Sequence, residues 1–538
     1  MRGLGGGTVA RAMIVVSASS GAALLVGFFK NVLAAYYFGT SGGMDAYLVA
    51  LLLPDLAMQL ARTGAFNFIP LFAAQRARSE DEAWRDAGRM LSYWLLLLSG
   101  SLLIAYLVSP GAMSLLAPGF SEARRTQTLE LTRVLLLMSA SLGAGRILGV
   151  VLHAERRFAA VGLSEIAFQA GSTAFLVVHH WMGVEALALA QVFGGLLQFL
   201  VVTVALLRRR NRLKAGLDLT SAPVRRLIRL SLPVYLGDSG DKLNLIVMRA
   251  FASLLPVGAV SGLQYAFTPV EALHRLLVGP LTTAFFPFLS SRFAEPNQQQ
   301  ARVSLGRALL TAVMVFLPLA AVVWLVADPL VVVLFERGSF DVRSTSVTAS
   351  ALRLFAPSVF ALALNELVGS AFHARQDTLT PMRAGFARVA CNAILCATLT
   401  PWMGHRGIAL ATTLSLYFKL LVLAFCLRGV FTPSETRRHL RSLYGVVFAV
   451  GAMTLTVYPV AAFSSTPAVL EGYALPAAVV LGLLCLGVYT AALWLFARRQ
   501  LLVQLAFLHR ALRRPARLPL PVAGASRKPT AVAEQSPI

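Results

Sequence analysis

The residues in this chain best suited to chemistry are charges placed where charge is expensive. From Leu236 to Arg249 the sequence reads LGDSGDKLNLIVMR, at the head of an apolar segment. Asp238, Asp241, Lys242 and Arg249 fall at i, i+3, i+4 and i+11, close to one face of a helix. Glu271, His274 and Arg275 repeat the i, i+3, i+4 spacing in the next apolar segment. A charge near a bilayer centre costs on the order of 2.5–3.5 kcal/mol on insertion scales, so such groups usually face a water-filled cavity and handle a polar substrate or ion. Asp238–Lys242 and Glu271–Arg275 also stand at i,i+4, which offers local neutralisation as the plainer explanation. Seven ionisable groups in two hydrophobic helices point to a charged central cavity.

The rest of the chain must supply the walls of that cavity. Of its 538 residues, 57% are hydrophobic and 13% charged, with a mean hydropathy of +0.71. A soluble globular protein carries about 25% charged residues. The composition is therefore that of an all-α polytopic membrane protein. Fourteen spans are expected, at about 13–37, 45–72, 90–110, 129–151, 158–179, 184–207, 231–255, 259–291, 308–327, 346–372, 384–401, 407–427, 442–464 and 475–496. The net charge of +24 argues for topology, not nucleic acid: 33 Lys and Arg lie in the connections on one side and 5 on the other. The positive-inside rule then makes both termini cytoplasmic. The expected division is a first lobe at 1–215, a second at 216–430, a helix pair at 431–500 and a basic, partly disordered cytoplasmic tail at 501–538. Within that tail, ARRQLLVQLAFLHRALRR reads as a helix able to lie in the interface.

The two lobes repeat. FIPLFAAQRA at 68–77 matches FFPFLSSRFA at 285–294, and GVVLHAERR at 149–157 matches GSAFHARQD at 369–377, at offsets of 217 and 220. Pro54 and Pro269 fall at a similar offset. Each unit holds six spans, an even number, so the copies share one orientation, a transporter plan with the substrate site between pseudo-symmetric halves. In the first lobe the corresponding polar groups are Lys30, Asp45 and Arg62, in spans interrupted at Pro54, Gly64 and Pro70. Arg62 also suits a residue snorkelling to the interface.

Residues 28–75, with Phe38-Gly39, Asp45-Ala46, Pro54, Gly64-Ala65-Phe66 and Pro70, resemble the first two helices of the MurJ (MviN) lipid II flippase family, in the multidrug/oligosaccharidyl-lipid/polysaccharide exporter superfamily. FHARQDTLTP at 372–381 and LFERGSF at 334–340 resemble the same family, and the likeness spans the whole chain. The resemblance implies fourteen helices, a V-shaped pair of lobes, a cationic central cavity and an apolar groove near the last two helices for a polyprenyl tail. The chain also departs from the family pattern. Met58, Gln59 and Thr63 stand where arginines and a glutamate are usual, Phe267-Thr268 where Asp-Arg is common, and Lys30 where arginine is usual, while Glu271 is kept. Arg62 lies three or four residues from the missing arginines and reaches a similar face.

The expected function is flipping of an undecaprenyl-pyrophosphate-linked glycan, foremost lipid II, by alternating access. Lys30, Lys242, Arg249, Arg275 and Arg62 would neutralise the pyrophosphate. Asp45, Asp238, Asp241 and Glu271 would steady those cations or bind a coupling ion. No cofactor is expected, and a coupling ion or the membrane potential is left open as the drive. Three alternatives stay open: a flippase for an exopolysaccharide or O-antigen unit, a cation-coupled drug antiporter, and a membrane scaffold recruiting a partner through its basic tail. An enzyme is not expected, because no Ser/His/Asp arrangement, metal cluster or phosphate-binding glycine loop occurs at suitable spacing.

Overall fold

The structure is a computed structural model. It describes residues 6–207, 216, 235, 240–279, 281–282, 289–290, 293, 299–428 and 433–513. The helices are α1 (Gly6–Phe38), α2 (Gly42–Ala50), α3 (Leu52–Arg76), α4 (Glu80–Leu116), α5 (Glu122–Ala154), α6 (Phe158–His179), α7 (Val184–Leu207), α8 (240–253), α9 (Ala259–Leu273), α10 (Gln299–Leu325), α11 (Ala327–Phe335), α12 (Val342–Ala374), α13 (Leu379–Met403), α14 (His405–Cys426), α15 (Pro433–Ser464) and α16 (Pro467–Arg513). Eleven helical stretches among the described residues are long and apolar enough to cross a membrane. The chain is an all-α polytopic membrane protein. The expected spans that fall outside those eleven are 45–72, 231–255 and 259–291, the ones that carry all the candidate site residues except Lys30. Helix α16 runs unbroken through the stretch expected in the interface as far as Arg513.

The second expected span is two helices, and its break has a local cause. Pro54 lies in the first turn of α3, where a missing N–H costs least. The carbonyl its N–H would have met, Ala50 O, accepts instead from Thr132 Oγ1 at 3.4 Å, and Pro54 O accepts from Ser139 Oγ at 3.1 Å. Arg249 Nη1 donates to Leu48 O beside the same break. Backbone freed inside a membrane must find such partners.

The repeat is visible in the backbone. Arg156 and Gln376, 220 residues apart, both have φ 61°. Each closes a helix in the same way: Arg157 N donates to Leu152 O and Arg156 N to His153 O, as Asp377 N does to Phe372 O and Gln376 N to His373 O. These are paired Schellman ends with a side chain where glycine is usual. Gly39 and Gly258 carry positive φ at the matching turns of the two halves, as do Gly183 and Gly404. The FHARQDTLTP stretch thereby has a structural account. Asp377 accepts from Thr380 N at 3.0 Å and Thr380 Oγ1 at 2.7 Å, which starts α13. Those backbone and side-chain bonds hold its carboxyl below the usual value. Their stabilisation is complete above the unfolded carboxylate's pKa and is lost as pH falls through the folded one.

Helices α1 to α7 pack mainly on one another, as do α9 to α14, with α15 and α16 against α10 and α11. The two sets meet where α2 and α1 touch α9, and where α1 touches α11. Described hydrogen bonds tie this seam at the connections 39–41, 117–121, 255–258 and 336–344. Ser339 N donates to Tyr36 O at 2.8 Å and Ser339 Oγ to Tyr37 O at 3.0 Å. Thr40 and Ser344 share a hydroxyl bond of 2.7 Å, and Gly119 N donates to Ser253 Oγ. The LFERGSF stretch is thus a docking turn, with Phe335 and Phe340 packed on Tyr265.

A side chain in the left-handed region costs roughly 1–2 kcal/mol, partly offset by the entropy glycine adds to the unfolded chain. Gln376→Gly should therefore raise stability by about 0.5–1 kcal/mol. The check is the thermal midpoint in detergent, where a lower midpoint would contradict the shared strained turn.

Candidate functional site

Helices α1, α2, α8 and α9 meet below the seam around a cavity of about 140 Å³. Lys30 and Arg249 line it together with Tyr47, Gln191, Gln264 and Thr268. Lys30 and Arg249 are 219 residues apart, so they are repeat mates: each half contributes its own copy of one position. Both are buried, at 7% and 5% exposed.

Neutral acceptors hold each cation. Lys30 Nζ donates to Gln169 Oε1 and Gln191 Oε1 at 3.0 Å and to Ser172 Oγ at 3.3 Å, and lies 5.1 Å from the Phe168 ring centre. Gln191 Nε2 in turn donates to Tyr47 Oη. Arg249 donates to Leu48 O and, through Nη2, to Gln264 Oε1 at 3.0 Å. Its Nε is buried without a hydrogen-bond partner in the structure. Amide and carbonyl oxygens orient a cation without cancelling its charge. The cavity therefore presents two cations, with Arg249 Nε still unpartnered, which suits an anion with several oxygens.

Two turns from Arg249 along α8, Lys242 Nζ meets Asp55 Oδ2 of α3 at 3.1 Å, a bond between the two halves. The local Asp238–Lys242 pairing is not needed to account for Lys242, and Asp238 itself lies outside the described residues. Asp241 accepts from Arg388 Nη1 of α13 at 2.6 Å. Arg388 is itself buried, whereas the Asp241 side chain is 73% exposed and so reaches open space beside α8. Glu271 lies within electrostatic reach of Arg249 and of His274. Arg275 is exposed on the π-helical turn His274–Val278 and also within reach of His274.

Asp45 sits elsewhere. Its carboxylate accepts from Gly258 N at 2.7 Å, Ser261 N at 2.8 Å and Ser261 Oγ at 2.7 Å. It thus caps the first turn of α9 from the other half and fastens the end of the seam, on Gly258 and Ser261 and not on Lys30. Arg62 lies on α3, and its side chain is outside those described. Lys30 and Arg249 are thus brought to one cavity, with Lys242 two turns away; Asp241, Glu271 and Arg275 surround the α8–α9 side, and Asp45 stands at the seam.

Sequence reasoning missed Asp55, Arg388 and the amides Gln169, Gln191 and Gln264. Asp55 had a signal: a carboxylate directly after Pro54 in an apolar span. The amides had none, because neutral polar residues are common in helices and each of these meets its cation on a different helix, 139 and 161 residues away for Gln169 and Gln191 and 15 for Gln264.

The family model described as lipid II flippase MurJ matches residues 34–471. A probable lipid II flippase MurJ from Rhizobium tropici is 29% identical over 428 residues, covering 75% of this chain and 78% of that protein. The lipid II flippase MurJ of Burkholderia cenocepacia is 28% identical over 444 residues, covering 79% and 85%. Among solved structures, a lipid II flippase MurJ in an inward closed conformation superposes with a TM-score of 0.73 at 19% identity, covering 91% of this chain and all of that one. An inward-facing multidrug resistance MATE transporter of the MOP superfamily gives 0.59 at 15% identity, covering 75% and 95%. At such identities these two likenesses speak for the fold alone. The family match covers most of the chain, from the end of α1 to α16: this chain belongs to the lipid II flippase MurJ family.

Proposed function

We propose that this chain moves lipid II across the bacterial cytoplasmic membrane by alternating access, with the pyrophosphate held between Lys30, Arg249 and Lys242. Family membership makes it a multi-pass transporter and not an enzyme, with a lipid-linked glycan as substrate. The observation that carries the binding site is the meeting of the repeat mates Lys30 and Arg249 at one buried cavity. Two cations from opposite halves, held by neutral acceptors, form an anion site that belongs to neither half alone. A diphosphate placed there would be bound by both, so binding would draw the halves together around it.

The cavity has room for about five waters, far less than a disaccharide headgroup needs. Transport therefore requires the halves to part. The seam bonds at the 39–41, 255–258 and 336–344 turns close one end, and with both termini in the cytoplasm that end is the outer one. Loading would then occur from the cytoplasmic side, and release would follow loss of the Asp45 cap and the Ser339 and Thr40 contacts. The polyprenyl tail stays in lipid throughout.

No cofactor is required by this scheme. A headgroup with two negative charges leaving a negative interior gains about 4–5 kcal/mol per 100 mV, from about 2.3 kcal/mol per charge. The membrane potential is therefore a sufficient drive, without a coupling ion.

Lys242→Gln combined with Arg249→Gln should abolish rescue of a flippase-depleted strain while membrane protein levels stay normal. Full rescue by that double variant would remove these two residues from the site. In proteoliposomes holding this chain alone, an inside-negative potential should speed outward movement of labelled lipid II several-fold. Equal rates with and without a potential would point to a different drive. Preference for a different polyprenyl-linked glycan in the same vesicles would replace the substrate.

A further inference from the structure

The cations between the halves face a carboxylate that the proposed transport reaction does not yet use. Asp55 on α3 bonds Lys242 on α8 at 3.1 Å and is also within electrostatic reach of Arg249. It is thus a first-half anion placed among the second-half cations. A burial argument says why something must stand there. Lys242 and Arg249 are two turns apart in a membrane helix, and an uncompensated pair of like charges in low dielectric repels strongly. The Lys242 and Asp55 side chains are 26% and 30% exposed, so the pair is not sealed off and an incoming ion has room to reach it. By contrast, Asp45 is closed in by three donors at the seam. Asp241 pairs with Arg388 of its own half.

We propose that Asp55 is a tethered stand-in for the substrate's diphosphate: in the empty carrier its carboxylate neutralises Lys242 and joins the halves, and the arriving diphosphate displaces it. This rests on the reading of the Lys30, Arg249 and Lys242 region as the diphosphate site. It assigns Asp55 a positioning role, setting how tightly an anion is held and how readily the empty carrier recloses after release. Because the carboxylate and diphosphate compete for one ammonium, Asp55 weakens substrate binding and favours release, so its loss should trade turnover for affinity.

The test uses the purified full chain and inorganic pyrophosphate, with binding followed by calorimetry. Asp55→Asn should bind pyrophosphate at least tenfold more tightly than the wild type, and Asp55→Glu should restore the wild-type affinity. Adding Lys242→Gln to Asp55→Asn should cancel the gain. In lipid II transport, Asp55→Asn should lower KM and kcat together. Asp55→Ser serves as a second variant should the asparagine form fail to fold, as judged by gel filtration. Unchanged or weaker pyrophosphate binding in a folded Asp55 variant overturns the proposal. Tighter binding with no lipid II movement by the wild type upholds the stand-in and removes the flippase reading. Lipid II movement by the wild type without the affinity gain does the reverse.

Discussion

Charge in a membrane interior must be compensated or put to use, and this requirement organises the molecule. Lys30, Lys242 and Arg249 sit where hydrocarbon would penalise them. The chain answers with amide oxygens for Lys30, an amide and a backbone carbonyl for Arg249, and a carboxylate from the opposite half for Lys242. Neutral acceptors orient a cation and leave its charge available. Of these hydrogen-bonded contacts only Lys242–Asp55 pairs a cation with a carboxylate, and both side chains are partly exposed. An anion binding here therefore gains from two cations already in place and has one weak bond to break.

The fold supplies the conditions for that arrangement. Duplication puts Lys30 and Arg249 at matching positions, so the meeting of the halves brings like positions together without a separate device for each. The break at Pro54 opens the backbone of the second span, and Arg249 of the other half uses one of the carbonyls beside it. The seam is fastened differently, by capping bonds. Asp45 ends in the first turn of α9, and Ser339 and Thr40 tie short turns. Such bonds cluster at one end of the halves.

The sequence made the architecture legible because the signals were long and redundant: hydropathy, charge asymmetry and a repeat with several matches. Lys30 and Arg249 were legible for the same reason, since a cation in an apolar span has few explanations. Asp45 was legible as important but not in its role, because its partners, two backbone N–H groups and the Ser261 hydroxyl, come within reach only once the halves dock. Lys242 stood out as a charge in an apolar span, but the acid one helical turn before it, Asp238, concealed the tertiary partner Asp55. Arg388 was hidden because its partner Asp241 is 147 residues away on another helix. Local spacing reports neighbours along one helix, and each of these contacts is decided between helices.

The central claim is that one anion site, shared by the halves, takes the diphosphate of the substrate. It is met most directly by a structure of this chain with lipid II bound. The account expects the diphosphate oxygens within hydrogen-bonding distance of Lys30, Lys242 and Arg249, with the Asp55 carboxylate turned away from Lys242. A headgroup bound elsewhere, with the Lys242–Asp55 bond intact and the Lys30–Arg249 cavity unchanged, would contradict it.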